Sequence, residues 1–184
     1  MWWLSLARAF RAVLVIATAA PLTACFQPLY SQKPLNGGGN LPGALASIDV
    51  AQIPAPRGST EERLAVELRN ALLFDLTGGT GTLSPLYRLN IRMSTSESAL
   101  IVDIATGRTV AEVSGIDTTY TLTELATKRV VVNGQAFARV SSDVPGLEQR
   151  FANLRALRDA QTRAAGVVAS QIQSRLASYL VAGT

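Results

Sequence analysis

The chain from residue 48 onward carries two spacings of apolar residues, and each spacing predicts a different element. From Tyr87 to Ser94, apolar and polar residues alternate with a period of two, which predicts a β-strand with one buried face. The same alternation returns over Thr109–Leu122 and Val130–Val140. Short turns at 105–108 and 124–128 separate these segments. We therefore predict three long antiparallel strands joined as a meander.

Two irregularities interrupt the alternation. The first strand of the meander continues through Ser98 to Ile104, and its pattern there implies a break in register. In the next strand, Ala111 and Val113 have one parity and Ile116 has the other. Because glycine inside a strand often accompanies a β-bulge, we expect a bulge near Ser114-Gly115.

A period near 3.6 residues predicts two helices that flank the meander. The first begins at a hydroxyl N-cap, Ser59 or Thr60, and ends at about Leu76, before the glycines at 78–81. Those glycines follow a helix, whereas anions bind where a helix begins, so they predict a helix stop and not a phosphate site. The second helix extends from the break at Pro145-Gly146 to about Val181. Its apolar stripe, which Gln161 interrupts, comprises Phe151, Leu154, Leu157, Ala164, Ala165, Val168, Ile172, Leu176 and Tyr179.

A short strand candidate, Ile48–Ile53, precedes the first helix and is closed by Pro54 and Pro56. The element order is therefore β-α-β-β-β-α. A half-polar sheet needs a cover on its apolar face, and the two amphipathic helices can supply it. The predicted fold is an α+β two-layer sandwich, in which two helices cover a four-stranded sheet made of the short N-terminal strand and the three-stranded antiparallel meander.

Residues 1–24 have the layout of a bacterial lipoprotein signal peptide. Arg8 and Arg11 form a basic start, an apolar run follows at 12–20, and Leu22-Thr23-Ala24-Cys25 ends at the only cysteine of the sequence. The run is shorter than the roughly 20 residues that a transmembrane helix needs. An internal disulfide is impossible with one cysteine. We therefore expect cleavage before Cys25 and lipidation of this residue.

The residues after Cys25 predict a tether. The segment 25–47 is rich in proline and glycine, which disfavour regular structure and leave a flexible connection to the domain at 48–184. Residue 26 is Phe and not the Asp that marks many lipoproteins for retention in the inner membrane. We therefore expect a lipid anchor on the periplasmic side of the outer membrane.

The charge of the chain argues against nucleic acid as a partner. The sequence has 17 basic and 13 acidic residues, and loss of Arg8 and Arg11 with the signal peptide leaves 15 basic residues and a net charge of +2. Aromatic residues make up only 6% of the chain. These values do not fit the basic, aromatic surface that nucleic-acid binding requires.

Groups for catalysis are scarce. The sequence has no histidine, which removes the commonest general base and the commonest zinc ligand. Cys25 is assigned to lipid, and the only lysines are Lys33 and Lys128. The acidic residues show no converging pair. We therefore expect a protein that is not an enzyme and has no metal site and no cofactor.

The mature chain resembles the LptE family of lipopolysaccharide-assembly lipoproteins. Its start, Cys25-Phe26-Gln27-Pro28-Leu29-Tyr30, is similar to the family pattern Cys-Gly-Phe-x-Pro-Leu-Tyr, although the glycine after the cysteine is missing. Further similar segments, in the same order as in the family, are Leu68-Arg69-Asn70-Ala71-Leu72, Tyr87-Arg88-Leu89, Ser96-Glu97-Ser98, Phe151-Ala152-Asn153-Leu154 and Arg158-Asp159-Ala160.

This resemblance implies a partial plug without catalytic activity. Members of the family sit in the lumen of the outer-membrane β-barrel LptD, assist its assembly and bind lipopolysaccharide. The implied lipopolysaccharide-binding residues are Arg108, at the turn between the second and third strands, and Arg139, on the fourth strand, where the family's position can also correspond to Ala136. Arg92, on the polar side of the sheet, is a third candidate.

Other interpretations remain open at this stage. An auxiliary lipoprotein of an envelope lipid-transport ABC system would share the lipidated Cys25 and the small α+β domain. A periplasmic hydrolase would need a cleft with two converging carboxylates. The candidate arginines can also be solvated surface residues. Three apolar residues off the main stripe of the first helix would contact either the barrel wall or the second helix: Val66, Leu73 and Phe74.

Overall fold

The structure is a computed structural model that describes residues 40–79, 81, 84–144 and 150–183. The predicted signal peptide, Cys25, the first part of the tether and the predicted break at Pro145-Gly146 lie outside the described residues. In the described part, the elements are α1 (Leu41–Ala46), β1 (Ile48–Val50), α2 (Thr60–Thr77), β2 (Tyr87–Val102), β3 (Thr109–Glu124), β4 (Val130–Asp143) and α3 (Arg150–Ala182).

The four strands form one sheet in the order β1-β2-β3-β4. β1 is parallel to β2, whereas β2, β3 and β4 pair antiparallel to their neighbours. Helices α2 and α3 pack on one side of this sheet and enclose the core with it. The predicted α+β sandwich with a three-stranded meander is confirmed.

The folded domain begins before the predicted boundary at residue 48. Residues 41–46, which the sequence analysis assigns to the tether, form α1, and both Leu41 and Leu45 are buried. Asn40 caps this helix, because its side-chain oxygen accepts a 2.8 Å hydrogen bond from the N–H of Gly43. Pro42 lies in the first turn, where a helix loses no hydrogen bond to proline. Residues 41–46 are therefore helical and do not belong to a flexible connection.

Helix α2 forms where the apolar periodicity predicts it. The hydroxyl of Ser59 is its N-cap and accepts a 3.1 Å hydrogen bond from the N–H of Glu62. Gly78 ends the helix with a φ of 65°, a left-handed conformation that glycine adopts without steric strain. The buried residues of α2 are Leu64, Ala65, Leu68, Leu72, Leu76 and Thr77.

Helix α3 packs on the sheet along only part of its length. Its buried residues begin at Ala160, whereas the predicted core residues Phe151 and Leu154 are 85% and 55% exposed. The prediction is wrong at these two positions, because they precede the part of the helix that packs on the sheet. Gln161 is buried, and its polarity is satisfied: its amide donates to Glu97 at 3.0 Å and accepts from Arg63.

The strands follow the predicted pattern, but their ends differ and one expected bulge is absent. β1 and β2 end earlier than predicted, at Val50 and Val102, and β3 and β4 continue to Glu124 and Asp143. The register break in β2 is confirmed between Ala99 and Val102. The bulge expected near Ser114-Gly115 is wrong, because β3 pairs without interruption with both neighbours there. The change of parity arises because Ala111 and Val113 lie on the side of the sheet away from the helices.

Among the described residues, no helix has the length and apolar character needed to cross a membrane.

Candidate binding face on the open side of the sheet

In the part of the chain that the structure describes, the helices cover one side of the sheet and no element covers the other side. Successive side chains of a strand point to opposite sides, so each of the strands β2–β4 contributes every second residue to the open side. We call these residues the open face. Its central members are Arg88, Asn90, Arg92, Ser94 and Ser96 on β2, Asp117, Thr119, Thr121 and Thr123 with Gly115 on β3, and Asn133, Gln135, Phe137, Arg139 and Ser141 on β4. Nearly all of them can form hydrogen bonds.

The strand register arranges the open face in rows that cross three strands. Three adjacent rows in its middle are Arg92–Thr119–Gln135, Ser94–Asp117–Phe137 and Ser96–Gly115–Arg139. Neighbours within a row are about 5 Å apart, and successive rows are about 7 Å apart along the strands. Residues from distant parts of the sequence therefore form one compact polar surface.

Arg139 lies across β3 and is held there by Asp117. Its Nη2 donates to both carboxylate oxygens of Asp117, at 2.9 and 2.8 Å, and its Nη1 donates to the carbonyl oxygen of Ala138 at 3.0 Å. Gly115 leaves room for this path, because a Cβ at that position would lie 2.9 Å from Nε of Arg139. The two side chains are 45% and 47% exposed, so the pair stabilises the fold by only about 0.2–1 kcal/mol. Its main effect is to fix both side chains in place.

The middle of the open face contains a shallow depression of about 350 Å³. It is lined by the open-face residues Arg92, Ser94, Asp117, Thr119, Gln135 and Phe137 and by Met93, Thr118 and Ala136, which lie between them along the strands. The ring of Phe137 is 62% exposed. Helix α3 holds β4 at this point, since Gln171 accepts from the N–H of Phe137 at 3.2 Å and donates to its carbonyl oxygen at 3.1 Å. β4 is an edge strand of the sheet that the described residues form, and Gln171 bonds backbone groups of β4 that β3 does not.

The three predicted binding arginines do not form one site. Arg92 and Arg139 lie on the open face, whereas Arg108 lies at the turn of the β2–β3 hairpin. Arg139 pairs with Gly115, six residues from the end of β3 at Thr109, which corresponds to about 20 Å. Arg92 forms no ion pair with any described residue, so its charge is available to a ligand.

The turn that carries Arg108 is ordered by Asp103. Its carboxylate accepts hydrogen bonds from the N–H groups of Ala105 at 2.8 Å and Thr106 at 3.3 Å. These hydrogen bonds favour the charged form and lower the pKa of Asp103 below its usual value. The N–H of Asp103 also donates to the carbonyl oxygen of Arg108 at 2.8 Å. The turn therefore presents the exposed Arg108 side chain from a defined backbone.

The apolar residues singled out on α2 separate into two groups. Val66 and Phe74 are 56% and 68% exposed, whereas Leu73 packs against the core. Beside Val66, a second depression of about 530 Å³ lies between α2 and the segment 52–57 that follows β1. Arg57, Arg69 and Glu62 line it. No group of three or more metal-binding side chains occurs in the part of the chain that the structure describes.

Sequence reasoning missed two residues that shape the open face. The alternation along β4 places Gln135, Phe137 and Arg139 on its polar side, but it does not identify Asp117 as the partner of Arg139. The change of parity along β3 predicts a bulge at Gly115, whereas this glycine provides space for the arginine. A glycine at a regular position of a polar strand is the signal that could have indicated a long side chain crossing from a neighbouring strand.

Comparison with solved structures shows the fold. The chain is similar to a candidate lipoprotein from Caulobacter crescentus CB15, with a TM-score of 0.58 and 23% sequence identity over 77% of this chain and 96% of that chain. It is also similar to a minor lipoprotein from Acinetobacter baumannii, with a TM-score of 0.49 and 12% identity over 72% of this chain and 92% of that chain. For rare lipoprotein B from Shewanella oneidensis, the TM-score is 0.49 and the identity 13%, over 71% of this chain and 95% of that chain.

No family model and no curated protein matches the chain. The fold assignment rests on the Caulobacter crescentus structure, whose chain is covered almost completely. The chain thus shares the fold of a protein described as a bacterial lipoprotein.

Proposed function

We propose that this protein is an outer-membrane lipoprotein that plugs the β-barrel LptD, assists its assembly and binds lipopolysaccharide. The observation that carries this proposal is the open face, a rigid sheet surface made of hydrogen-bonding side chains. The interior of a membrane β-barrel is polar, since polar residues that face the lumen alternate with apolar residues that face lipid along every strand. A polar sheet face can form hydrogen bonds with such an interior, whereas an apolar face could not.

The proposed anchor is the lipidated Cys25. Each buried methylene group contributes about 0.8 kcal/mol, and two or more acyl chains give stable attachment where a single chain gives only marginal binding. Fourteen residues, 26–39, lie between Cys25 and Asn40, where the described domain begins. A chain of this length spans at most about 50 Å. The anchor therefore leaves the domain free to enter a neighbouring barrel.

The proposed role in lipopolysaccharide binding requires no catalytic step. Arginine recognises phosphate through parallel hydrogen bonds from its planar guanidinium group. Arg92 and Arg108 are the stronger candidates, since both are exposed and neither is paired with a described carboxylate. A phosphate at Arg139 would have to compete with Asp117 for the guanidinium group.

Co-purification tests the proposed partner. We expect the full-length protein, tagged at its C-terminus and solubilised in detergent, to be recovered with an LptD-type barrel that mass spectrometry identifies. Recovery with an inner-membrane ABC complex would instead support the auxiliary-lipoprotein alternative. A matched test of the anchor is Cys25→Ala, which should leave the circular dichroism spectrum unchanged but release the protein from the membrane fraction. Unchanged membrane retention would contradict lipidation as the anchor.

A further inference from the structure

We propose that the depression in the open face binds a single sugar ring, which stacks on Phe137 and forms hydrogen bonds with the polar side chains around it. The inference deepens the proposed function and rests on it for the source of the sugar, the saccharide part of lipopolysaccharide.

The exposed ring of Phe137 is the first reason. It is 62% exposed and lies beside Asp117 and Gln135, whose side chains are polar. The face of an aromatic ring carries partial negative charge and attracts groups with a positive edge. A pyranose ring presents polarised C–H groups on one face and hydroxyl groups around its rim. It is therefore complementary to one aromatic ring surrounded by hydrogen-bonding side chains.

The polar side chains of the depression supply donors and acceptors at suitable spacing. Gln135 offers both through its amide, and Thr119 offers both through its hydroxyl. The Asp117 carboxylate accepts from Arg139 and still has lone pairs for a sugar hydroxyl. Neighbours within a row are about 5 Å apart and successive rows about 7 Å apart, which places these groups around the area that a sugar ring covers.

The depression is held in a fixed shape. Its residues lie on strands and not on loops, which positions side chains precisely enough for recognition. Gln171 fixes the backbone of Phe137 from α3, and Arg139 fixes the carboxylate of Asp117 from β4. Groups that are ordered before binding lose less conformational freedom when a ligand arrives.

Size and charge favour a sugar over other occupants. A volume of about 350 Å³ is at the lower end for small-molecule sites, which suits one ring and not an extended peptide. Phe137 is the large exposed apolar side chain of this lining, because Ala136 and Met93 have the parity of the covered side of their strands, so an acyl chain would find little apolar surface. Because Asp117 and Arg139 neutralise each other, Arg92 leaves one positive charge near the depression. The ligand is therefore a neutral or anionic sugar.

The test uses the full-length protein in detergent and, as the probe, the deacylated oligosaccharide of lipopolysaccharide, which has no acyl chains. We expect Phe137→Ala to weaken binding of this oligosaccharide about two- to tenfold in isothermal titration calorimetry, because the stacking contact is lost. Saturation-transfer NMR should show the strongest transfer to the C–H protons of one ring. The matched control is Phe74→Ala, which removes a similarly exposed phenylalanine on α2 and should leave the affinity unchanged.

The outcomes separate the sugar site from the proposed function. Absence of oligosaccharide binding to the wild type, or equal affinity for the wild type and Phe137→Ala, overturns the sugar site. Co-purification with the barrel is measured separately, so the oligosaccharide can bind while the barrel is not recovered, and the reverse. If Phe137→Ala retains the oligosaccharide but loses the barrel, the open face contacts protein at this point and the sugar site is wrong.

Discussion

The two sides of the sheet differ in the polarity and the burial of their side chains. On the helix-covered side, a row across β2–β4 reads Leu89–Leu122–Val132, and all three residues are buried. One residue further along, the open face reads Asn90–Thr121–Asn133. The covered side stabilises the fold by removing apolar surface from water. The open face contributes little to stability, so its side chains are available for recognition.

Each side also contains a glycine that makes room for a long side chain from β3 or β4. On the covered side, Gly134 lies against the ring of Tyr120, and on the open face Gly115 lies against Arg139. The ring is enclosed by the core, whereas the guanidinium group is solvated. Substitutions at these two glycines should therefore change the free energy of unfolding by different amounts, as described below.

The largest expected difference comes from a truncation on each side. Leu122→Ala should lower the free energy of unfolding by about 2–5 kcal/mol, because it leaves a cavity in the core. Thr119→Ala on the open face should lower it by no more than about 1 kcal/mol, the range of strand propensities, because it leaves no cavity in the core. Urea denaturation of both variants checks the comparison. Similar losses in the two variants would contradict the assignment of the open face to solvent.

A methyl group at each of the two glycines gives the next largest difference. Gly134→Ala places Cβ 2.5 Å from Oη of Tyr120, and the enclosed ring has little room to move, so we expect a loss of about 1–3 kcal/mol. Gly115→Ala meets the flexible side chains of Arg139 and Ser96, so it should cost less than about 1 kcal/mol. Urea denaturation again decides, and a larger loss at Gly115 would reverse the comparison.

Alkaline pH should weaken the covered side specifically. Burial raises the pKa of Tyr120 above its usual value of 10.0, and Arg175 partly opposes this shift. The neutral phenol is therefore the form that the fold favours. Its stabilising contribution is complete below the pKa of the unfolded state and is lost as the pH rises through the higher folded-state pKa.

The measurement for this effect is the urea midpoint between about pH 8 and about pH 11. The wild type should lose more stability over this range than Tyr120→Phe. Burial also raises the pKa of Tyr87, so the single variant should retain part of the pH dependence and Tyr87→Phe/Tyr120→Phe less of it. An identical pH profile for wild type and Tyr120→Phe would show that Tyr120 is not the responsible group.

The smallest effect concerns the ion pair on the open face. A double-mutant cycle of Asp117→Ala and Arg139→Ala should give a coupling energy of about 0.2–1 kcal/mol, because both side chains are about half exposed. Added salt should reduce this coupling. A coupling of several kcal/mol that salt does not reduce would contradict the exposed position of the pair in the folded domain.

The sequence predictions are accurate for features that depend on residues close together in the chain, and they fail for features that depend on packing between distant residues. Helix α2 begins at the N-cap Ser59 and ends at Gly78 through contacts within one turn. The local sequence is therefore enough to predict both ends, with Ser59 or Thr60 as the N-cap. The helix α1 was missed because its six residues contain a proline, and it is stabilised by burial of Leu41 and Leu45. Isolated helices of this length are unstable, so only packing against the rest of the domain stabilises it.

The candidate site shows the same division. Alternation assigns Arg92, Gln135 and Phe137 to one side of their strands, and this assignment agrees with the structure. It cannot align β2, β3 and β4, because register depends on how all three strands pack beneath the helices. The depression and the Asp117–Arg139 pair follow from that alignment. Whether Arg92, Arg108 or Arg139 binds lipopolysaccharide remains a prediction.

From residue 48 onward, the amino-acid sequence by itself determined the element types, their order and which side of each strand is polar, because these depend on periodicity and on caps within a few residues. The tertiary structure alone decided that Gly115 accommodates Arg139, that Gln161 is buried with polar partners, and that Phe137 stands in a polar depression. Those arrangements join residues that are far apart along the chain, and their geometry exists only after the sheet has paired and the helices have covered one side of it.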